Sequence, residues 1–210
     1  MTAAASTAKN KKRTGRYIFL LVMSVAAFLW IAPMIWMYSL SLSSNEALKT
    51  NTTSMIPIAF TVENFFSVFQ VGLTPRWFMN SVIVTVITTA LTLVLSAMAG
   101  YAFARIPFKG KNLVFAFVLA GLMVPKEAMF IPLFLMFAEV DMHNTYSALI
   151  LPRAAAPLGV FIMTQFFKAI PYEIEEAAQI DGASRWTVFW RIMLPMSGPA
   201  LTALAIFTFI

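Results

Sequence analysis

Long apolar blocks, separated by short charged segments, organise this chain. They cover residues 17–42, 77–104, 112–138, 146–167 and 196–210. A bilayer core takes about 20 apolar residues in a helix, so each of the first four blocks is long enough to span it. The pattern predicts an all-α membrane protein. The fifth block holds only about 15 residues, short of the roughly 20 a span requires, and this leads us to expect a C-terminally truncated chain.

The polar positions refine that outline. Residues 1–16 form a basic tail (Lys9, Lys11, Lys12, Arg13, Arg16) expected to be disordered. The apolar core behind it exceeds the roughly 7–15 residues of a cleaved signal peptide, so an uncleaved signal anchor is expected. Residues 43–76 are mixed and polar, an extramembrane loop with an amphipathic stretch at 62–71. The second block carries Ser81, Thr85, Thr88, Thr92 and Ser96 on one helix face, followed by the small-residue run Ser96, Gly100, Ala104. Two readings fit this stripe: close helix packing, or a face turned to a pore. Pro125-Lys126-Glu127 interrupts the third block. Charges at membrane depth face protein or water, and a break at the outer surface would equally accommodate them. A polar turn at 139–146 contains Glu139, Asp141, His143 and Asn144, and Pro152 and Pro157 are expected to kink the fourth span.

Composition agrees. Hydrophobic residues make up 60% and charged residues 11%, too little polar surface for a soluble domain of 210 residues. The formal charge of +6 would suggest nucleic acid if read alone. Its placement at the ends of apolar blocks points to membrane orientation instead. The tail, 105–111 and 168–195 hold 11 Lys and Arg, against 4 on the alternate side. The positive-inside rule therefore puts the N-terminus and residues 168–195 in the cytoplasm. The chain has no cysteine, which excludes disulfides and thiolate metal sites.

Residues 171–195 carry six charged side chains. They read as two short helices joined at a glycine. Pro171 suits a first helical turn, and Glu173, Glu175 and Glu176 suit the positive end of a helix dipole. Ile174, Ala177 and Ala178 make a small apolar face. Asp181-Gly182 supplies a bend and Ser184 a cap. Trp186, Phe189, Trp190 and Met193 then recur at helical spacing, with Arg185 and Arg191 off the stripe. Pro195 ends the element.

The segment resembles the E-A-A-x(3)-G-x(9)-I-x-L-P pattern of ABC importer permeases, matching it at Glu176, Ala177, Ala178, Gly182, Ile192, Leu194 and Pro195. Asn80-Ser81, Gly100 to Arg105, Phe108 to Lys111, Asn144-Thr145-Tyr146, Leu151-Pro152 and Ile180 to Ser184 are similar to the carbohydrate-uptake branch, in particular the second permease of maltose-type systems. The resemblance implies a type I ABC importer transmembrane domain, with five of six expected helices begun here. It divides the chain into a tail (1–16), a first span with its external loop (17–74) and a transmembrane core (75–210). Residues 168–195 become the loop that docks into the ATPase subunit, with Glu173, Glu176, Ala177, Ala178, Asp181 and Gly182 in the docking segment. The implied partners are an ATPase dimer, a second homologous permease, an extracytoplasmic sugar-binding protein and membrane lipid, with no nucleic acid. The expected location is a bacterial or archaeal cytoplasmic (inner) membrane.

The chain lacks G-x-x-x-x-G-K-[ST], G-x-S-x-G and H-E-x-x-H, so an enzyme reading has no support, and ATP and magnesium are expected on the partner subunit. No cofactor or metal is expected in this chain, and His143 reads as a solvated loop residue. Lys126, Glu127, Asn144 and Arg153 are candidates for a solute pathway or for docking. An ion-driven carrier would use Lys126 and Glu127 as relay charges, and an ABC permease for a non-sugar solute would share the loop. The loop match favours ATP-driven import over an ion-driven carrier, and the flanking stretches favour a sugar over another solute.

Overall fold

The computed structural model describes residues 3–70 and 72–210, with side chains described for 15–70 and 72–210. The chain divides into two units, Met1–Trp77 and Phe78–Ile210.

In the first unit, α1 (Ala3–Ser41) carries the first apolar block, and none of its most apolar window is buried in the protein. That exposure suits a helix whose solvent is lipid. The tail expected to be disordered is helical from Ala3 onward, continuous with the span. Alanine-rich sequence such as Ala3 to Ala5 carries little penalty for propagating a helix backward. Residues 1–2 and the side chains of 3–14 lie outside the described residues, as does Val71 of the amphipathic stretch.

The segment after α1 is more ordered than a plain loop. It contains α2 (Asn45–Thr50), capped by the Ser44 side chain, and α3 (Glu63–Gln70). The indole of Trp36 donates to the Thr52 carbonyl at 2.8 Å, and the Asn64 amide donates to the carbonyls of Ser41 (3.1 Å) and Ser43 (2.8 Å). An isolated antiparallel bridge joins Ser43 to Phe60. The Asn64 bonds satisfy carbonyls left open where α1 ends. The amphipathic stretch is the helix α3, with Phe65, Phe66 and Phe69 exposed.

The helix α4 (Thr74–Arg105) leads into the second unit. It is followed by α5 (Lys111–Ala120), 3₁₀ turns at Gly121–Met123 and Lys126–Met129, and α6 (Phe130–Glu139). Then come α7 (Tyr146–Ala154) and α8 (Pro157–Ala169). The chain continues through α9 (Glu173–Ile180), α10 (Arg185–Val188), a π turn at Phe189–Met193, α11 (Leu194–Met196) and α12 (Gly198–Phe209). Among the described residues, three helical stretches have the length and hydropathy of a span: Gly15–Ser41, Thr74–Arg105 and Tyr146–Ala169. Two bent pairs, Lys111–Met123 with Lys126–Glu139 and Arg185–Met196 with Gly198–Phe209, raise the number to five.

The two prolines of the fourth span behave differently. Pro152 sits inside α7, which runs on only to Ala154. The break comes at Ala155 and Ala156, and Pro157 opens α8, where its missing N–H costs no hydrogen bond.

Packing concentrates where α4 meets α8. Thr88, Thr92 and Ser96 are buried, so at these positions the polar stripe packs against protein. The helices touch at glycines. A Cβ on Gly159 would collide with the Ser96 hydroxyl, and one on Gly100 would lie 2.5 Å from the Met163 Cβ. Small residues thus let the backbones approach, as the packing reading of the stripe requires. Below this contact, Tyr101, Met163, Phe167, Val188, Phe189 and Met193 form the buried cluster that underlies the loop after α8.

Candidate functional site

The loop leaves α8 at Ile170 and returns to the membrane helices at α12. Its first helix, α9, has three glutamates in its opening turn, and their surroundings differ sharply. Glu173 and Glu176 are exposed, while Glu175 is 2% exposed. Successive α-helical residues are rotated by about 100°, so the neighbours Glu175 and Glu176 lie on different faces.

Glu175 meets the end of α4. Its Oε1 lies 2.7 Å from Nε of Arg105, an ion pair whose geometry is not that of a well-aligned hydrogen bond. The Tyr101 hydroxyl, one turn earlier on α4, donates to Glu175 Oε2 at 3.2 Å. The other end of the Arg105 guanidinium donates through Nη2 to the Phe167 carbonyl at 2.6 Å and to the Ile170 carbonyl. Those carbonyls close α8, where a helix leaves acceptors unsatisfied and favours positive charge. The Tyr172 ring lies 5.6 Å from the guanidinium carbon. The Tyr101 ring stands edge-on to Phe167 at 5.8 Å and tilted against Phe189 at 5.2 Å. One arginine at the end of α4 thus bonds to the end of α8 and pairs with the first turn of α9.

Beyond α9 the chain turns at Gly182, whose φ of +86° is the left-handed conformation that glycine adopts without steric cost. The Ser184 hydroxyl accepts from the Thr187 N–H at 3.2 Å and caps α10 as the sequence predicts. The aromatic stripe is unevenly buried, although the Trp186, Phe189 and Trp190 rings lie against one another with centroids 5.1–6.1 Å apart. Phe189 and Met193 are buried with Val188, whereas Trp186 is 60% and Trp190 40% exposed. A π turn begins within the stripe, and in it the Leu194 N–H reaches back to the Phe189 carbonyl. Proline at 195 has no N–H to continue the α ladder, and the wider turn re-aims the side chains around it.

The remaining positions of the pattern fall on both sides of this element. Ala178 and Leu194 pack against the buried cluster, and Ile192 is half-buried. Glu176, Ala177, Asp181, Gly182 and Pro195 are exposed. The small apolar face read from Ile174, Ala177 and Ala178 is therefore divided: Ile174 and Ala178 turn inward and Ala177 outward. Pro171 lies two residues ahead of α9 rather than within its first turn.

Lys126 and Glu127 sit in the 3₁₀ turn where α5 and α6 meet at 90°, both exposed. Neither makes a salt bridge or side-chain hydrogen bond among the described residues. Asn144 is exposed, with φ of +58°, in the turn before α7. Two residues on, the Tyr146 hydroxyl bonds Oδ1 of Asn80 at 2.7 Å, tying two of the sequence stretches that carried the resemblance. Arg153 is exposed, and its carbonyl accepts from Thr92 at 3.4 Å. His143 is exposed, and no group of three or more metal-ligating side chains occurs among the described residues.

Residues 92–210 match the family model described as "Binding-protein-dependent transport system inner membrane component". The arabinooligosaccharides transport system permease protein of Halalkalibacterium halodurans is 39% identical, over 86% of this chain and 66% of its own length. The diacetylchitobiose uptake system permease protein of Streptomyces coelicolor is 33% identical, over 100% of this chain and 69% of its own. The chain thus spans about two thirds of the length of the relatives it matches. A bacterial ABC transporter that imports the acidic polysaccharide alginate has the same fold, with a TM-score of 0.85 at 21% identity, over 94% of this chain and 70% of that one.

Proposed function

This chain belongs to the family of binding-protein-dependent transport system inner membrane components, and from that premise we propose that it carries an oligosaccharide across the cytoplasmic membrane by alternating access, driven by ATPase subunits that dock on the loop at 168–195. The solute class is taken from the relatives, whose names give arabinooligosaccharides and diacetylchitobiose. The observation that carries the docking role is the division of α9. Its Glu175 edge is held inside the protein, while Glu173, Glu176 and Ala177 present a small, acidic, exposed edge. A small residue lets a partner approach closely, and the carboxylates give electrostatic register to a basic cleft.

In this reading ATP and magnesium are bound by the partner, since the sequence contains no phosphate-binding loop. A second permease completes the pathway, and an extracytoplasmic sugar-binding protein delivers the solute. The N-terminus and the loop lie on the cytoplasmic side, as the distribution of Lys and Arg favours. Glu176→Arg tests the docking edge in cells carrying the whole transport system. Uptake of labelled arabinooligosaccharide or diacetylchitobiose should fall to background while the chain still inserts in the membrane. Normal uptake by that variant would sink the docking role.

A further inference from the structure

The Arg105–Glu175 pair is not on the exposed edge and cannot touch a docked partner. Its two side chains are 9% and 2% exposed. Burying such a pair takes both charges out of water, and apolar residues of similar volume often stabilise a fold as well or better. What the pair adds is geometry. A guanidinium offers a rigid planar fork of donors, and here the fork is used in several directions at once. It meets Glu175 of α9 and the Phe167 and Ile170 carbonyls at the end of α8, from a base at the end of α4. Tyr101 bonds the second carboxylate oxygen, and its ring packs on Phe189 beyond the Gly182 bend. Both halves of the loop are therefore referred to the same end of α4.

We propose that Arg105, Glu175 and Tyr101 are positioning residues that make the loop move as one body with α4 and α8, so that displacement of the docked loop is passed to those helices rather than absorbed by bending at Ile170 or Gly182. The inference rests on the docking reading for the source of the motion. The coupling of loop to helix is a property of this chain's own contacts. Three elements converge on one side chain, and the glycine contacts of Gly100 and Gly159 join α4 to α8 directly above it.

The chain contains no cysteine, so labels can be placed at will. Spin labels at Ile180→Cys, 85% exposed on the loop, and Leu91→Cys, 38% exposed on α4, would report the loop-to-helix distance. Leu91 lies about 21 Å along the helix axis from Arg105. The measurement uses the assembled transporter with its ATPase subunits, nucleotide-free and trapped with ATP and vanadate. The labelled protein with the pair intact should give one narrow distance distribution, unchanged between the two states. Arg105→Met with Glu175→Leu replaces the pair by apolar side chains and avoids leaving a lone buried charge. In that variant thermal stability and subunit assembly should be retained, yet the trapped distribution should be roughly twofold broader or displaced, because the directional fork is gone. Arg105→Lys, which keeps the charge without the fork, should behave like the apolar pair.

A distribution in the apolar double variant that stays as narrow as with the pair intact, in both states, would overturn the proposal. So would a distance that shifts on trapping while the pair is intact. Glu176→Arg in the same labelled background separates the two readings. Retained co-purification of the ATPase in that variant counts against the docking edge alone, whereas the distance comparison between intact pair and apolar pair decides the positioning role.

Discussion

Two interruptions of the apolar pattern carry both acids and bases, and the structure treats them in opposite ways. At the turn between α5 and α6, Lys126 and Glu127 are exposed and unbridged, and the helices simply part at 90°. After α8, Glu175 is drawn inside and held by an arginine 70 positions earlier in the chain. Neighbouring charges in a break say little by themselves. What matters is whether another element brings an opposite charge and open carbonyls to the same point. The first break is packed by α8, with Pro157 beside Gly121, but no described side chain pairs its charges, while at the second three helix termini meet around one arginine.

The contrast can be broken from the side of the ordered loop. Phe189→Ala removes the ring that packs on Tyr101 and fills the buried cluster. Large-to-small changes at such sites cost about 3–5 kcal/mol. The thermal midpoint of the purified transporter should fall by more than for any other single change considered, leaving the loop as weakly held as the α5–α6 turn. A smaller loss is expected at Gly100→Ala. Its new methyl would lie 2.5 Å from the Met163 Cβ and 3.0 Å from backbone atoms of Met163 and Thr164. The helices must separate, at about 1–3 kcal/mol for overpacking, measurable as a lower midpoint and a lower yield of assembled complex. The smallest effect belongs to the other break. Lys126→Ala combined with Glu127→Ala should change stability by no more than about 0.5 kcal/mol, as for other exposed sites. A large drop in midpoint there would mean the two breaks are alike after all.

Much of this architecture was legible in the residues. The span-length blocks, the amphipathic helix α3, the glycine bend at Gly182 and the Ser184 cap each depend on local chemistry that a short window contains. The pairing of Glu175 was not, because it is a contact between distant residues. In sequence Glu175 is one of three acids suited to a helix N-terminus, and α9 is too short for periodicity to separate its faces. Arg105 read equally well as one more cytoplasmic charge. The phase of the aromatic stripe beyond Phe189 was hidden for another reason. Spacing of 3.6 assumes an unbroken α ladder, and the π turn ahead of Pro195 does not keep that spacing. Of the two prolines in the fourth span, only Pro157 follows residues that leave the helical conformation, at Ala155 and Ala156.

The π turn at Phe189–Met193 also acts as a counter. A regular α-helix advances about 100° per residue, so one residue gained or lost rotates everything downstream by that angle. The wide turn takes up one such residue between the buried Val188 and the buried Ser197. It lets the chain meet the membrane-side cluster in phase at both ends. Excising a single residue from this stretch would leave composition and hydropathy almost untouched while swinging α12 about its axis relative to the loop. The length of this segment, counted residue by residue, is therefore as much a part of its specification as the identities of its side chains.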